Sequence, residues 1–178
     1  MRLLRGWQKE TKEEKEQNIV HGMSVSRVSA FLSSVGLAEW GADVLGMSMT
    51  KKTTEFAVRD GHVCTLGWLL SRGASLERDV YYNSNDGVTD QKSFHGACSW
   101  AAGAGHLSML QYLRYLEPPC PWDKKTCWHA ALKGHLHVLQ WARSQAEPCP
   151  WDERTCSEAA RNGHLHVLQW ARSQAEPC

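Results

Sequence analysis

The chain has 178 residues, 42% of them hydrophobic and 22% charged, with a net charge of +1. This is the composition of a folding chain rather than a disordered one, and the near-neutral balance argues against an electrostatic grip on nucleic acid or an anionic membrane. No apolar run approaches the ~20 residues that span a bilayer. The start, MRLLRGWQKETKEEKEQ, lacks the apolar stretch of a signal peptide. An intracellular protein is expected, cytoplasmic in the first place and nuclear in the second.

Residues 1–17 read as a charged leader, with Leu3, Leu4 and Trp7 able to share a helical face before the charge run from Lys9 to Glu16. Residues 18–47 form the first apolar block. Val28, Phe31, Leu32 and Val35 recur at helical spacing, followed by Leu37 and Trp40. Gly41 suits the left-handed position that stops a helix. In 50–76, two short helices are expected: one through Glu55–Arg59 stopped near Gly61, and one over Val63–Ser71 stopped at Gly73-Ala74. The stretch near 79–92 contains Asn85-Asp86-Gly87, which is turn chemistry, and reads as a surface insertion. A calcium loop counted on Gly87 fails, because Tyr82 and Ser93 stand where acidic ligands are needed.

From residue 121 the chain repeats itself. Residues 121–149 and 150–178 abut and agree at 23 of 29 positions, and the last 16 residues of each copy are identical. A looser copy occupies Cys98–Cys120. Such a period signals stacked units, none of which can bury its apolar sides alone. In 121–149, Asp123 is a good N-cap. A first helix over Lys124–Lys133 should end at Gly134, and a second should run over Leu136–Ser144. Six of the seven cysteines fall on the period and Cys64 stands outside, which does not look like a disulfide framework. Buried structural thiols are expected, with Cys120/Cys127 and Cys149/Cys156 the pairs able to approach. His106, His135 and His164 follow the helix-ending glycine and should tie down carbonyls at the turn. His137 and His166 should lie on the exposed side of the second helix. Trp122 and Trp151 should pack the loop onto the edge of the stack.

Ala57-Val58-Arg59-Asp60-Gly61-His62, then Trp68-Leu69-Leu70 and Gly73-Ala74, resembles an ankyrin repeat. Ala101–His106, Ala130–His135 and Ala159–His164 stand in the same role. The resemblance covers roughly 50–178, as repeats at about 50–78, 93–120, 121–149 and 150–178. The period of 29 is shorter than the family's usual ~33, and Thr126-Cys127 and Thr155-Cys156 replace the family's Thr-Pro-Leu-His. The resemblance implies an all-α solenoid of helix pairs with little or no β-hairpin. Residues 18–47 are either a degenerate first repeat or a helical cap, and their VSAFLSSVGL string is also similar to the start of a sterile-alpha-motif domain.

The six differences between the two copies are Lys124/Glu153, Lys125/Arg154, Trp128/Ser157, His129/Glu158, Leu132/Arg161 and Lys133/Asn162. At about 100° per residue they share one half of the first helix. Thr126, Cys127, Ala130 and Ala131, unchanged, occupy the other half. One arc is held small for packing, and the other is expected to lie outside the core. The resemblance implies that this first helix lines the partner-binding side, which makes the twelve varying residues candidate contacts; drift on an exposed face is the alternative. There is no nucleophile elbow, phosphate loop or carboxylate pair, and no cofactor is expected. The reading is a non-enzymatic protein–protein interaction module. Its alternatives are a structural Cys/His metal-binding protein or a fragment of a longer array. Val167, Leu168 and Trp170 of the last pair are expected to be partly uncovered, inviting self-association.

Overall fold

A computed structural model of the chain describes residues 32–45, 51–76, 80–82 and 93–174. The charged leader, Val28 and Phe31 lie outside these residues. The described chain is helical apart from one short two-stranded ribbon. In order, the elements are α1 Val35–Leu45, α2 Lys51–Arg59, α3 Val63–Ser71, β1 Val80–Tyr82, β2 Ser93–His95, α4 Ala97–Ala104, α5 Leu107–Tyr115, α6 Lys124–Leu132, α7 Leu136–Arg143, α8 Glu153–Arg161 and α9 Leu165–Arg172. The ribbon is antiparallel, with Val80 opposite His95, Tyr81 opposite Phe94 and Tyr82 opposite Ser93. It brings the two ends of the insertion together just before α4. The sequence reading missed it, although Val-Tyr-Tyr is a β-favouring triplet.

Each helix pair is built by the same local chemistry. Asp123 and Asp152 have extended backbones, and their carboxylates accept from the N–H of Lys125 and Arg154 at 3.0 and 3.1 Å. That satisfies orphan donors of the first turn and contributes about 1 kcal/mol each. At the other end of α6, the Gly134 N–H donates to Ala131 and the His135 N–H to Ala130. This is the Schellman arrangement, which needs a left-handed residue, and Gly134 has φ +76°. His135 then turns the chain, with φ −82° and ψ 71°, and the Leu136 N–H returns to the Gly134 carbonyl at 3.0 Å. That is an inverse γ-turn. His62, His106 and His164 repeat it.

The pairs α2/α3, α4/α5, α6/α7 and α8/α9 pack internally, and the first helices pack in file, α2 on α4, α4 on α6 and α6 on α8. Small side chains permit this: Ala57, Cys98, Ala101, Ala102, Cys127, Ala130, Ala131 and Ala159 are all buried. The second helices supply the bulk, through Leu66, Leu69, Met109, Leu110, Leu113, Val138, Leu139 and Val167. Burying one such side chain stabilises by about 1.5–3 kcal/mol. The first helices of neighbouring pairs run closer together than the second helices.

Histidines join one pair to the next. The His106 ring donates to the Arg59 carbonyl at 2.9 Å, and the His164 ring to that of Leu132 at 3.1 Å. His135 bonds the equivalent carbonyl of Gly103. His137 and His166, exposed as expected, nevertheless reach back to the carbonyls of Gly105 and Gly134, each at 3.1 Å. Since a carbonyl only accepts, each ring donates from Nε2 at these four contacts. The orphan carbonyls closing one first helix are thus satisfied by the following pair. The sequence reading placed this role within a single turn.

Several expectations need correction. Gly41 does not stop a helix: α1 runs through it to Leu45, with Gly41 on the covered side. Helix α2 begins at Lys51 rather than Glu55, because Thr53 and Thr54 are buried and Thr54 Oγ1 donates to the Ser75 carbonyl at 3.3 Å. Leu37 and Trp40 are both 45% exposed. In the last pair, Val167 is fully buried against its own first helix; Leu168 and Trp170 are half-buried, and Leu165 is 61% exposed. Cys98, Cys120, Cys127 and Cys149 are buried thiols, but Cys156 is disulfide-bonded, contrary to the expectation of no disulfide.

Candidate functional surface

The candidate surface is built on α6 and α8, which lie side by side. Their unchanged arcs are buried at Thr126, Cys127, Ala130 and Ala131 of α6 and at Thr155, Cys156 and Ala159 of α8, whose Ala160 is exposed. A hydroxyl contact continues this arc into α4, with Ser99 Oγ 3.4 Å from Thr126 Oγ1. The varying arcs therefore adjoin on the other side. None of the twelve residues is buried.

On α6, Lys124 and Lys133 are exposed, and Lys125, Trp128, His129 and Leu132 are half-buried. Lys124 Nζ lies 2.9 Å from Asp152 Oδ2. One carboxylate therefore caps α8 and pairs with the preceding helix. Lys124 is mostly exposed, so the ion pair itself adds at most about 0.5 kcal/mol. Trp128 stacks on His129 with ring centroids 4.8 Å apart, and its buried Nε1 has no hydrogen-bond partner among the described residues. The Cβ of His129 sits 3.3 Å from where a Cβ on Gly103 would lie, so the absence of a side chain in α4 admits it. Leu132 gives its carbonyl to His164.

On α8, Glu153, Arg154, Ser157, Arg161 and Asn162 are exposed, and Glu158 is half-buried. Several of these bond along their own helix. Ser157 Oγ donates to the Arg154 carbonyl at 3.1 Å, Asn162 Nδ2 to the Glu158 carbonyl at 2.9 Å, and Arg161 pairs with Glu158 at 3.2 Å. The α6 arc therefore offers three lysines and an aromatic pair, whereas the α8 arc is polar and mixed in sign.

Neither a scan against protein-family models nor a search of curated proteins finds a match.

Trp122 and Trp151 pack onto the edge of the stack, edge-on to Trp141 and Trp170 at 5.9 and 5.7 Å. Sequence reasoning missed their second partners. The Arg114 and Arg143 guanidinium carbons lie 4.2 and 4.4 Å from the two ring centroids. The alternative of a Cys/His metal site finds no cluster of three or more candidate ligands among the described residues. Among the same residues no helix is long and apolar enough to cross a membrane.

Proposed function

We propose that the chain is a non-enzymatic protein–protein interaction module, an ankyrin-like solenoid whose partner docks on the face formed by its first helices. The observation that carries this reading is the division of α6 into a buried, unchanging arc and an unburied arc, repeated on α8 except at the exposed Ala160, with all six differences on the unburied arcs. File packing aligns the two unburied arcs into one surface, presenting two different chemistries on one scaffold. The closer spacing of the first helices than of the second helices supports a concave partner site on the first-helix side. The ankyrin resemblance supports the same face. Lys124, Lys125 and Lys133 fit a partner carrying acidic side chains, and Trp128 with His129 supplies an aromatic anchor of the kind that dominates interfaces. No catalytic constellation enters the reading.

The test exchanges the six residues of the α6 arc with those of the α8 arc in the full chain. Circular dichroism should be unchanged. A protein captured by the parent should lose affinity at least roughly tenfold, as expected when central contacts are replaced. Equal affinity for every captured protein, with the fold intact, would reduce the six differences to drift.

A further inference from the structure

Each of the last three repeats carries one cysteine on the first turn of its first helix and another at its end: Cys98 and Cys120, Cys127 and Cys149, Cys156 and Cys178. In the first two pairs, 22 residues apart, the helix thiol points at the backbone of its counterpart. Cys98 Sγ lies 3.6 Å from the Cys120 carbonyl oxygen, and Cys127 Sγ lies 3.8 Å from that of Cys149. The counterpart is itself held in place. The N–H of Cys120 donates to the Leu113 carbonyl at 3.0 Å and that of Cys149 to Ala142 at 2.9 Å, while Arg114 and Arg143 grip the two cysteine carbonyls at 2.8 and 2.9 Å. The thiols of each pair lie near enough to raise one another's pKa, and the Cys149 thiol itself donates to the Asp123 carbonyl at 3.3 Å. In the third repeat, the residue in the register of Cys98 and Cys127 is Cys156, and it is disulfide-bonded.

We propose that Cys98–Cys120 and Cys127–Cys149 are disulfide-forming sites, each stapling one repeat from the start of its first helix to its last residue. Pairing of the equivalent helix cysteines of neighbouring repeats, Cys98 with Cys127, is disfavoured, because equivalent positions are offset by about one helix-packing distance of 8–10 Å, beyond the ~7 Å that Cα atoms of a disulfide allow. The oxidant is a small-molecule disulfide. The thiolate of one cysteine attacks it and displaces one thiol, leaving a mixed disulfide. The thiolate of the other cysteine attacks that bond and releases the second thiol. The protein loses two protons and two electrons, and the oxidant becomes two thiols.

The packed repeat opposes this exchange. The thiolate is the nucleophile, and the neighbouring thiol and burial push Cys98 and Cys149 far above the ordinary thiol range. Closure therefore belongs to the folding chain, before the loop docks on the helix, and the same burial shields the bond once it is made. The staples are independent of what the array binds.

The experiment refolds the urea-denatured full chain in a reduced/oxidised glutathione mixture, alkylates remaining thiols, and maps the unreduced digest by mass spectrometry. Linked peptides Cys98–Cys120 and Cys127–Cys149 are expected, with Cys64 alkylated. The melting temperature should lie about 5–15 °C above that of chain refolded in reductant. Folded, reduced protein given the same mixture should link at least roughly tenfold more slowly. Cys149→Ser should abolish the second link and keep the first. Alkylation of all four thiols, or linkage across repeats such as Cys120–Cys127, would overturn the proposal.

Discussion

The imidazole of His164 fills the space where Gly134 lacks a side chain: a Cβ built on Gly134 would meet the ring Nδ1 at 2.7 Å. The same ring donates to the Leu132 carbonyl two residues earlier. His135 stands over Gly105 and His106 over Gly61 in the same way, with ring atoms at 2.8 Å. Gly163 shares the left-handed backbone, φ +74°, but no atom of the described residues lies within 4 Å of its Cβ position. The two glycines separate backbone strain from steric fit. Gly163→Ala should cost about 1–2 kcal/mol for the left-handed conformation alone. Gly134→Ala should cost about 2–4 kcal/mol, since the ring must also move and give up its hydrogen bond. Urea denaturation of the two variants measures the difference, and equal losses would remove the steric argument.

His135 makes the histidine clamp sensitive to pH. Burial is the largest influence and holds its pKa below the ordinary 6.5; the hydrogen bond to the Gly103 carbonyl works the other way, and His137, His106 and His164 add to the depression. A base with a depressed folded-state pKa is protonated first in the unfolded chain. Its contribution is therefore complete above about pH 6.5 and is lost as pH falls toward the folded-state value. For one site the slope cannot exceed about 1.4 kcal/mol per pH unit. His135→Gln keeps a donor near the carbonyl and cannot titrate. Its unfolding free energy, measured from pH 8 to pH 5, should fall less steeply than the parent's. Parallel curves would mean that His135 titrates alike in both states.

Arg143 couples two repeats through one side chain. Its NH1 donates to the Cys149 carbonyl at 2.9 Å while the guanidinium lies over Trp151 of the next repeat. Arg143→Ala should cost about 1.5–3 kcal/mol, combining a charge-assisted hydrogen bond with a cation–π contact. Arg143→Lys should recover less than half of that, because an ammonium cannot both stack and present the planar fork. Thermal melts of both variants decide it. Full recovery by lysine would reduce the contact to simple charge.

What could be read locally from the sequence is what the backbone decides locally. Asp123 caps α6, Gly134 ends it, and α3 covers Val63–Ser71, all as expected from capping and glycine rules. The features that were missed depend on a docked neighbour. Thr53 and Thr54 are poor helix formers, yet they lie in α2 because tertiary contacts bury them. Gly41 looks like a stop but continues a helix whose covered side holds it. The histidine clamps span 32 residues at four sites and 47 at His106, and the cysteine pairs span 22, separations that no helical or strand period encodes. For the candidate surface, comparison of the two copies gave the arc itself. It did not reveal that Asp152 pairs with Lys124, or that Gly103 makes room for His129.

The division of α6 into two arcs can be tested at adjacent residues. Ala131 is fully buried between first helices, whereas Leu132 is half-buried and its counterpart in α8 is Arg161. Leu132→Arg loses part of a leucine's apolar burial but leaves the new charge in water, so a cost of about 0.5–1.5 kcal/mol is expected. Ala131→Arg forces a long charged side chain into a helix contact sized for a methyl group. Overpacking and an unpaired buried charge together should cost at least about 4 kcal/mol and remove the cooperative transition. Circular dichroism melts distinguish the two outcomes directly. If Leu132→Arg were as damaging as Ala131→Arg, the varying arc would belong to the core and could not serve as a partner surface.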